Sequence, residues 1–322
     1  MTKLPEHVRP MLATLGQLPK DDANWSYEMK WDGVRGLAYI HDGRARFMSR
    51  NDIDETVSYP ELHNLAEQLG ETQALLDGEI VSFDAAGRPS FKLLQQRMHV
   101  ASAATARRLA ESDPAVYLIF DLLHLDGRNL FDLPYTQRRE LLEGLELDGG
   151  SWQTPPAFAG DGPHAVEASK ERQLEGVVAK RSTSRYLPGR RSPDWVKVKN
   201  FHTQEVVIGG WSPGKGRREG TIGALLLGVP TPEGLRYVGQ VGTGFTDAML
   251  RDLAERLRRI ARKTSPFSLD VPRTDARDAQ WVRPQLVGEV SFSEWTGDSR
   301  LRHPSWRGLR PDKGPDEVVF EI

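Results

Sequence analysis

The 322-residue sequence contains no cysteine, which excludes disulfide frameworks, cysteine-ligated zinc sites and thiol catalysis. It has no apolar run near the ~18 residues of a membrane span, and its first residues lack the apolar core of a secretory signal. The eight histidines show no spacing typical of metal ligands. From these absences we expect a cytoplasmic protein with no membrane association.

An excess of charge of either sign is also missing. Lysine and arginine number 43 against 45 aspartate and glutamate, which gives a formal net charge of −2. A protein that coats polyanions over its whole surface is therefore not expected, and a nucleic-acid site must come from uneven charge placement. Hydrophobic residues make up 38% of the chain, enough for packed cores. The length suits two domains at ~100–200 residues each, or one large domain.

Positive charge is concentrated in two segments of this acidic chain. Residues 180–220 hold ten lysines and arginines against three acidic residues, and a second basic cluster runs from Arg300 to Lys313. Such clusters are usually solvated loops. The alternative is that they face phosphate groups.

Hydrophobic patterning in the first two hundred residues predicts more strands than helices. Asp-Gly turns at Asp32-Gly33 and Asp42-Gly43 indicate hairpins. The predicted strands are Trp25–Trp31, Arg35–His41, Arg44–Ser49, Ala74–Phe83, Ala115–His124, Gly176–Arg181 and Trp195–Lys199. The predicted helices are Pro60–Leu69, Pro134–Leu145 and Pro163–Leu174. This pattern predicts an α+β domain with antiparallel sheets.

The pattern changes after Asn200, so we expect a boundary between residues 1–201 and 202–322. A helix over Thr246–Arg262, with Thr246 as N-cap, separates two groups of strands. The predicted strands are Thr203–Trp211, Thr221–Val229, Leu235–Val241, Leu286–Ser293 and Glu317–Glu321. Three strands, a helix and further strands are compatible with a small OB-fold β-barrel.

Two familiar nucleotide motifs fail. Gly209-x4-Gly214-Lys215 resembles a P-loop, but Gly216 stands where a magnesium-binding hydroxyl is required, so we interpret the segment as a mobile basic hairpin. A protein kinase would need His-Arg-Asp and Asp-Phe-Gly tripeptides, and neither occurs.

A lysine between a predicted strand and an Asp-Gly turn is more informative. Lys30 is preceded by Glu28, which suits a base amino group, and followed by Arg35, which suits ribose or phosphate. On these residues alone, an exposed hairpin lysine with a nearby ion pair is an equally good interpretation. Polar residues then recur on apolar strands in five places: Ser49-Arg50-Asn51, Asp77-Gly78-Glu79, Phe120-Asp121, Glu175–Lys180 and Trp195–Lys199. Lys197 and Lys199 alternate with valines, which places both ammonium groups on one strand face, suited to phosphate.

This ordered set resembles the covalent nucleotidyltransferases, which comprise ATP-dependent DNA ligases, RNA ligases and mRNA capping enzymes. The C-terminal Arg310-Pro311-Asp312-Lys313 resembles the Arg-x-Asp-Lys element that ends a DNA ligase OB domain. The likeness covers nearly the whole chain. It is closest to the ligase modules of bacterial end-joining enzymes of the ligase D type, in the segments Pro10–Thr14, Thr203–Trp211 and Ser305–Arg310.

The resemblance implies an antiparallel-sheet nucleotidyltransferase (adenylation) domain, an OB-fold β-barrel domain and three transfer steps. Lys30 would attack the α-phosphate of ATP and release pyrophosphate. The lysyl-AMP would pass AMP to the 5′-phosphate of a nicked duplex DNA, and the 3′-hydroxyl would then displace AMP. An ordinary lysine is protonated at neutral pH, so we expect Lys197, Lys199, Arg35 and a metal to favour the neutral amine.

The resemblance also implies roles for the other motif residues. Phe120 would stack on adenine, although an ordinary core phenylalanine is the alternative, and Glu28 would read the adenine edge. Arg35, Arg50 and Glu79 would surround the ribose, Lys197 and Lys199 would bind the α-phosphate, and Glu79 and Glu175 would hold Mg²⁺ or Mn²⁺. Arg310, Asp312 and Lys313 would orient the pyrophosphate. Candidates for DNA phosphates are Arg190, Arg191, Lys215, Arg217 and Arg218.

One departure from the family pattern concerns Asp52, which stands where a glycine follows Ser-Arg-Asn in most members. Glycine adopts a positive φ more easily than aspartate. The alternatives are an RNA ligase, a GTP-using capping enzyme, or a non-catalytic OB-containing scaffold that binds nucleic acid. The resemblance further implies a monomer at the nucleoid that acts in double-strand-break repair. It also implies cooperation with the bacterial Ku protein and with polymerase and nuclease modules.

Overall fold

A computed structural model describes residues 3–214, 216–269 and 271–321, apart from the side chain of Arg217. The chain forms two compact units, one ending at Asn200 and the other beginning at Phe201. Within the described residues, no helix is long and apolar enough to cross a membrane.

The N-terminal unit alternates short helices with strands. Its strands are β1 Leu12–Leu15, β2 Trp25–Lys30, β3 Val34–His41, β4 Arg44–Ser49, β5 Ala74–Ser82, β6 Ala115–Leu125, β7 Arg128–Asn129, β8 Trp152–Gln153, β9 Phe158–Ala159, β10 Gly176–Arg181 and β11 Arg191–Lys199. Its α-helices are α1 Leu65–Leu69, α2 Phe91–Gln95, α3 Ala103–Ser112, α4 Tyr135–Glu143 and α5 Gly162–Glu171.

These strands form two sheets. One has the order β1-β11-β10-β2-β9, and the other has the order β4-β3-β5-β6-β7 with β8 beside β6. Pairing is antiparallel except for β1 with β11 and β6 with β8. The predicted α+β class and its antiparallel sheets are confirmed.

The hairpin predicted at Asp32-Gly33 is wrong. β2 and β3 belong to different sheets, so these residues carry the chain from one sheet to the other. A Cβ atom added at Gly33 would lie 2.2 Å from the carbonyl oxygen of Ile80, so only glycine allows this close crossing. The second Asp-Gly turn, Asp42-Gly43, does join paired strands, β3 and β4.

The helices differ from prediction in two ways. The segment Pro60–Leu69 is not one helix, because a 3₁₀ turn at Pro60–Leu62 precedes α1, which ends before Gly70 at a φ of 58°. Helices α2 and α3 were not predicted. The start of α3 has a recognisable signal, since Ser102 caps it by accepting a hydrogen bond from the Thr105 N–H.

The C-terminal unit is built on a single sheet. Its elements are β12 His202–Pro213, β13 Ile222–Thr231, β14 Gly234–Val241, α6 Asp247–Arg259, α7 Arg273–Ala276, β15 Gln280–Trp281, β16 Val287–Phe292 and β17 Ser305–Leu309. The strand order is β14-β13-β12-β16-β17, with β15 beside β12. Backbone hydrogen bonds from Leu301 N to Val238 O (2.8 Å) and from Trp306 N to Thr243 O (2.9 Å) bring the two ends of this order together. This is the predicted OB-fold barrel.

Thr246 caps α6, as predicted, by accepting a hydrogen bond from the Met249 N–H. The strand predicted at Glu317–Glu321 does not form. A 3₁₀ turn occupies Pro315–Glu317. The backbone of the residues after it is hydrogen-bonded by the side chain of Gln204 and not by a paired strand. The Gln204 amide donates to Val319 O and accepts from Glu321 N, so backbone groups there are satisfied without a neighbouring strand.

Candidate active site

Strand register assembles one wall of a cleft in the N-terminal unit. Gly176 on β10 lies opposite Lys30 on β2 and Lys199 on β11. In the same way, Val178 lies between Glu28 and Lys197. Directly paired residues share a sheet face, so both rows point to the same side. The opposite face carries the apolar residues of a buried cluster, including Tyr27, Met29, Val177 and Ala179.

The other sheet supplies Arg35, Glu79 and Phe120 to the same cleft. Arg35 on β3 pairs directly with Glu79 on β5. Between β5 and β6 the register moves from Asp77↔Asp121 to Gly78↔Ile119, so Phe120 has no partner in the ladder. This irregularity is a β-bulge, and bulges commonly redirect a side chain next to a functional site.

The cleft has a volume of about 120 Å³ and opens to solvent. Six of the predicted site residues line it: Glu28, Lys30, Arg35, Glu79, Phe120 and Lys197. Arg50, Glu175 and Lys199 are not part of this lining. Glu175 contacts Lys30 directly, and Lys199 lies near Glu175.

Lys30 lies at the end of β2 with its ammonium group against a carboxylate. Its Nζ donates a 2.5 Å hydrogen bond to Glu175 Oε2, and Glu175 Oε1 lies 3.8 Å from Lys199 Nζ. Burial would lower the pKa of Lys30, but the charge and hydrogen bond of Glu175, with smaller contributions from Glu79 and Asp32, raise it overall. These carboxylates outweigh the neighbouring cations that were expected to favour the neutral amine, and the part of that expectation that depends on a bound metal stays a prediction.

Glu28 is buried in a network of donors. Lys180 Nζ lies 2.9 Å from Oε1 and 2.8 Å from Oε2 of Glu28, and Tyr135 Oη donates to Oε1 at 2.5 Å. Lys180 is 1% exposed, and its burial lowers its pKa, an effect that Glu28 partly offsets. Its ammonium also lies 4.4 Å from the centroid of the Phe120 ring.

Arg35 is held rigidly by its neighbour on the next strand. Its Nε and Nη2 donate to the two carboxylate oxygens of Asp77 at 2.5 and 2.6 Å, and Tyr186 Oη donates to Asp77 at 2.6 Å. Burial would lower the pKa of Arg35, but Asp77 raises it, so the guanidinium stays charged. It lies 4.5 Å from the Phe120 ring centroid.

Arg50 follows β4 in a turn that also contains Asp52, the residue that stands where most family members have glycine. Asp52 has a φ of 62°, the conformation that a glycine would adopt at no cost. His7 Nδ1 lies 2.5 Å from Asp52 Oδ2, and the Asp52 N–H donates to Ser49 O. The loop thus keeps a positive φ without glycine.

The predicted metal ligands, Glu79 and Glu175, both act on the charge of Lys30. Within residues 3–214, 216–269 and 271–321, no group of three or more histidines or carboxylates is arranged to hold a metal ion. Mg²⁺ is commonly bound by one or two carboxylates together with substrate phosphates and waters. The donor set therefore fits a metal that binds with a nucleotide.

The DNA-phosphate candidates have different environments. Arg191 Nη1 donates to the carbonyl oxygen of Ala13, and Arg218 Nη1 donates to Gly242 O at 2.7 Å. Arg218 is thereby tied to the residue that follows β14, and the mobility expected of the hairpin at Gly209–Lys215 stays a prediction. Lys215 and the side chain of Arg217 lie outside the described residues. The backbone oxygen of Arg190, just before β11, accepts a 2.8 Å hydrogen bond from Leu12 N.

Arg310, Asp312 and Lys313 follow β17 in the C-terminal unit and meet two glutamates there. Arg310 donates to Asp312 at 2.7 and 2.9 Å and to Glu289 at 3.2 Å. Lys313 Nζ donates to Glu205 Oε1. Glu205 and Glu289 lie directly opposite each other on β12 and β16.

The sequence did not predict three residues that line or adjoin the cleft of the N-terminal unit. Lys180 and Trp195 line the cleft, and Tyr135 lies behind Glu28. Lys180 and Trp195 pair directly across β10 and β11, in line with the rows that contain Lys30 and Lys197. The same period-two argument would have found them. Nothing in the sequence places Tyr135 on α4 beside Glu28.

Comparison with known families gives two matches along the chain. Residues 10–199 match the family described as ATP dependent DNA ligase domain. Residues 218–313 match the family described as ATP dependent DNA ligase C terminal region.

Individual relatives show the same likeness. The multifunctional non-homologous end joining protein LigD of Mycolicibacterium smegmatis is 48% identical over 98% of this chain, and LigD of Pseudomonas aeruginosa is 39% identical over 99%. This chain spans only 40% and 37% of those two proteins. A solved structure of mycobacterial DNA ligase D complexed with ATP and MES is 44% identical, covers 98% of both chains and has a TM-score of 0.72.

Proposed function

This chain belongs to the ATP-dependent DNA ligase family, and from that premise we propose that it seals 5′-phosphate/3′-hydroxyl nicks during bacterial double-strand-break repair by end joining. The family makes it a ligase that uses ATP. The repair role is supported by the 48% identity to a non-homologous end joining protein, of which this chain spans 40%.

The observation that carries the proposal is the position of Lys30 in the cleft. The lysine lines the cleft, in line with Lys199 across Gly176, and next to the row that holds Glu28 and Lys197. Lys30 is the nucleophile that takes AMP from ATP. A bound nucleotide replaces the Glu175 contact and favours the neutral amine, because that contact raises the pKa of Lys30.

The remaining roles follow the chemistry of each side chain. Phe120 stacks on the adenine, and Glu28 recognises its amino group. Arg35 and Glu79, paired across β3 and β5, contact the ribose together with Arg50. Lys197 and Lys199 stabilise the charge that develops on the α-phosphate, where preorganised cations are most effective.

Glu79 and Glu175 would hold Mg²⁺ or Mn²⁺, which neutralises phosphate charge when it is bound. Lys197 and Lys199 orient the α-phosphate. In the C-terminal unit, Arg310, Asp312 and Lys313 act on the pyrophosphate leaving group. Replacing Asp312 or Lys313 should therefore impair self-adenylation more than sealing of pre-adenylated DNA.

The DNA substrate implies further partners and a location. Arg190, Arg191, Lys215 and Arg217 are the phosphate contacts that we propose, and Arg218 is the weakest candidate because its side chain binds Gly242 O. We propose that the protein acts at the nucleoid, where broken chromosome ends occur. We also propose that it acts as a monomer. It would act with Ku and with polymerase and nuclease activities, as an end-joining pathway requires.

The first experiment is covalent labelling of the purified protein with α-labelled ATP and Mg²⁺. We expect a label on the denatured wild-type band that acid releases and base does not. Lys30→Ala should remove it completely, whereas the exposed Lys92→Ala, in the same unit, should retain it. A label that persists in Lys30→Ala would refute the nucleophile, and failure of the labelled protein to seal a nicked duplex would refute the ligase assignment.

A further inference from the structure

The carboxylate of Glu28 has little capacity left for a ligand. A carboxylate offers about four acceptor sites, two on each oxygen. Oε1 already accepts from Lys180 at 2.9 Å and from Tyr135 at 2.5 Å, and Oε2 lies 2.8 Å from the same ammonium. The acceptor capacity that remains for a donor in the cleft that Glu28 lines is therefore on Oε2.

The donors that occupy Glu28 are themselves immobile. Tyr135 is 1% exposed at the start of α4, and Lys180 is 1% exposed on β10. Arg139 Nη1, one turn along α4, is buried without a hydrogen-bond partner in the described part of the chain and lies 3.9 Å from Glu28 Oε1. Two cations and a hydroxyl thus hold the carboxylate in one orientation.

Lys180 also connects Glu28 to the other wall of the cleft. Its Nζ lies 3.3 Å from the backbone oxygen of Phe120 and 4.4 Å from the ring centroid. The ring of Trp195 lies 4.5 Å away on the opposite strand. The acceptor on Glu28 and the aromatic ring of Phe120 are therefore positioned by one ammonium group.

We propose that Tyr135 is a positioning residue that sets the choice of nucleotide base, by fixing Glu28 so that a single acceptor, Oε2, faces the base. This inference rests on the proposed function, in which Glu28 meets the base. An adenine presents an amino donor to such an acceptor. A guanine presents a carbonyl oxygen at the corresponding ring position, which a fixed carboxylate repels.

Loss of the hydroxyl frees the second site on Oε1 and lets the carboxylate turn. Binding of adenine then loses an oriented hydrogen bond, and the repulsion of guanine weakens because the carboxylate can rotate away. The chemical step at Lys30 is not touched, since Tyr135 does not line the cleft. A residue with a merely structural role would lower activity with both nucleotides alike.

The test is the rate of covalent labelling as a function of α-labelled ATP and GTP concentration. For Tyr135→Phe we expect about a fivefold or larger rise in the ATP concentration for half-maximal rate, with the saturating rate within about twofold. The preference for ATP over GTP should fall by a similar factor. Tyr39→Phe is the matched control, because Tyr39 is a buried tyrosine of the same unit whose hydroxyl bonds Val8 N and not Glu28.

A second background separates positioning from loss of folding. In a Glu28→Gln protein, Tyr135→Phe should change the ATP/GTP preference no further, because both substitutions act through one carboxylate. An unchanged preference in Tyr135→Phe alone, or an additional change on top of Glu28→Gln, would overturn the inference. If wild-type protein takes no label from ATP, the proposed function itself has failed.

Discussion

Carboxylates dominate the electrostatic surroundings of Lys30, the nucleophile that we propose. Glu175 touches it at 2.5 Å, and Glu79 and Asp32 add to the same field. Lysines used as nucleophiles are usually activated by burial or by neighbouring cations. Here burial acts in that direction, but the carboxylates outweigh it and raise the pKa of Lys30.

A pH profile tests this balance. The neutral amine accumulates only above the raised pKa of Lys30, so the rate of self-adenylation should rise with pH. Glu175→Gln removes the largest raising influence, which lowers the pKa and moves this rising limb to lower pH. Single-turnover labelling across a pH series measures the shift.

Glu171→Gln is the control, since Glu171 ends α5 on the surface of the same unit. A rising limb at the same pH in the Glu175→Gln protein would contradict the assigned field. A fall in the maximal rate without any movement of the limb would indicate that Glu175 acts only through the metal.

At the scale of elements, the antiparallel pair β12 and β16 contains an unfavourable contact. Glu205 and Glu289 are directly opposite each other, and like charges in that position destabilise a sheet. Cations from the end of the barrel compensate: Arg307 lies 3.1 Å from Glu289, Arg310 donates to Glu289 at 3.2 Å, and Lys313 donates to Glu205. The Arg-x-Asp-Lys element therefore has acidic partners within its own unit.

This arrangement predicts that a second substitution can suppress the first. Lys313→Ala should slow self-adenylation by about tenfold or more, because it removes a cation and leaves Glu205 to repel the anionic nucleotide. Adding Glu205→Gln should restore about threefold of that loss. Labelling rates of both single variants and the double variant complete the cycle.

The cycle has clear contrary results. Additive losses in the double variant would show that Glu205 positions Lys313 and does not oppose the anion. Full labelling by Lys313→Ala would show that the element takes no part in the first step. Sealing of a pre-adenylated nick should stay unchanged in all three variants.

For the whole molecule, charge is nearly balanced, so DNA affinity must depend on a few local contacts. Several of the clustered cations are already engaged: Lys180 is buried, Arg181 lies 3.0 Å from Asp194, and Arg218 binds a backbone oxygen. The phosphate-facing surface predicted from residues 180–220 is thus smaller than the count of basic residues suggests.

The affinity for a nicked duplex should still fall steeply with salt. With the four phosphate contacts that we propose, raising salt from ~50 to ~200 mM should weaken binding by a factor on the order of 10². A titration by fluorescence anisotropy at several salt concentrations gives the slope. A flat response would mean that DNA is held by contacts other than phosphate neutralisation.

The sequence by itself determined the family, the strand-rich α+β class, the OB barrel and most of the cleft residues. It could do so because period-two alternation and the Lys30 and Arg310–Lys313 motifs are local properties of the chain. The site roles inferred from the resemblance stay predictions. So do the DNA contacts.

Only the tertiary structure decided which strands meet. The Asp32-Gly33 turn predicted a hairpin, but β2 and β3 lie in different sheets. The carbonyl oxygen of Ile80, forty-seven residues further on, leaves room at this crossing only for glycine. The direction of the pKa shift of Lys30 depends on Glu175, which is 145 residues away in sequence. Tyr135 reaches Glu28 across 107 residues. Such pairings arise from how sheets and helices pack, and no local pattern encodes them.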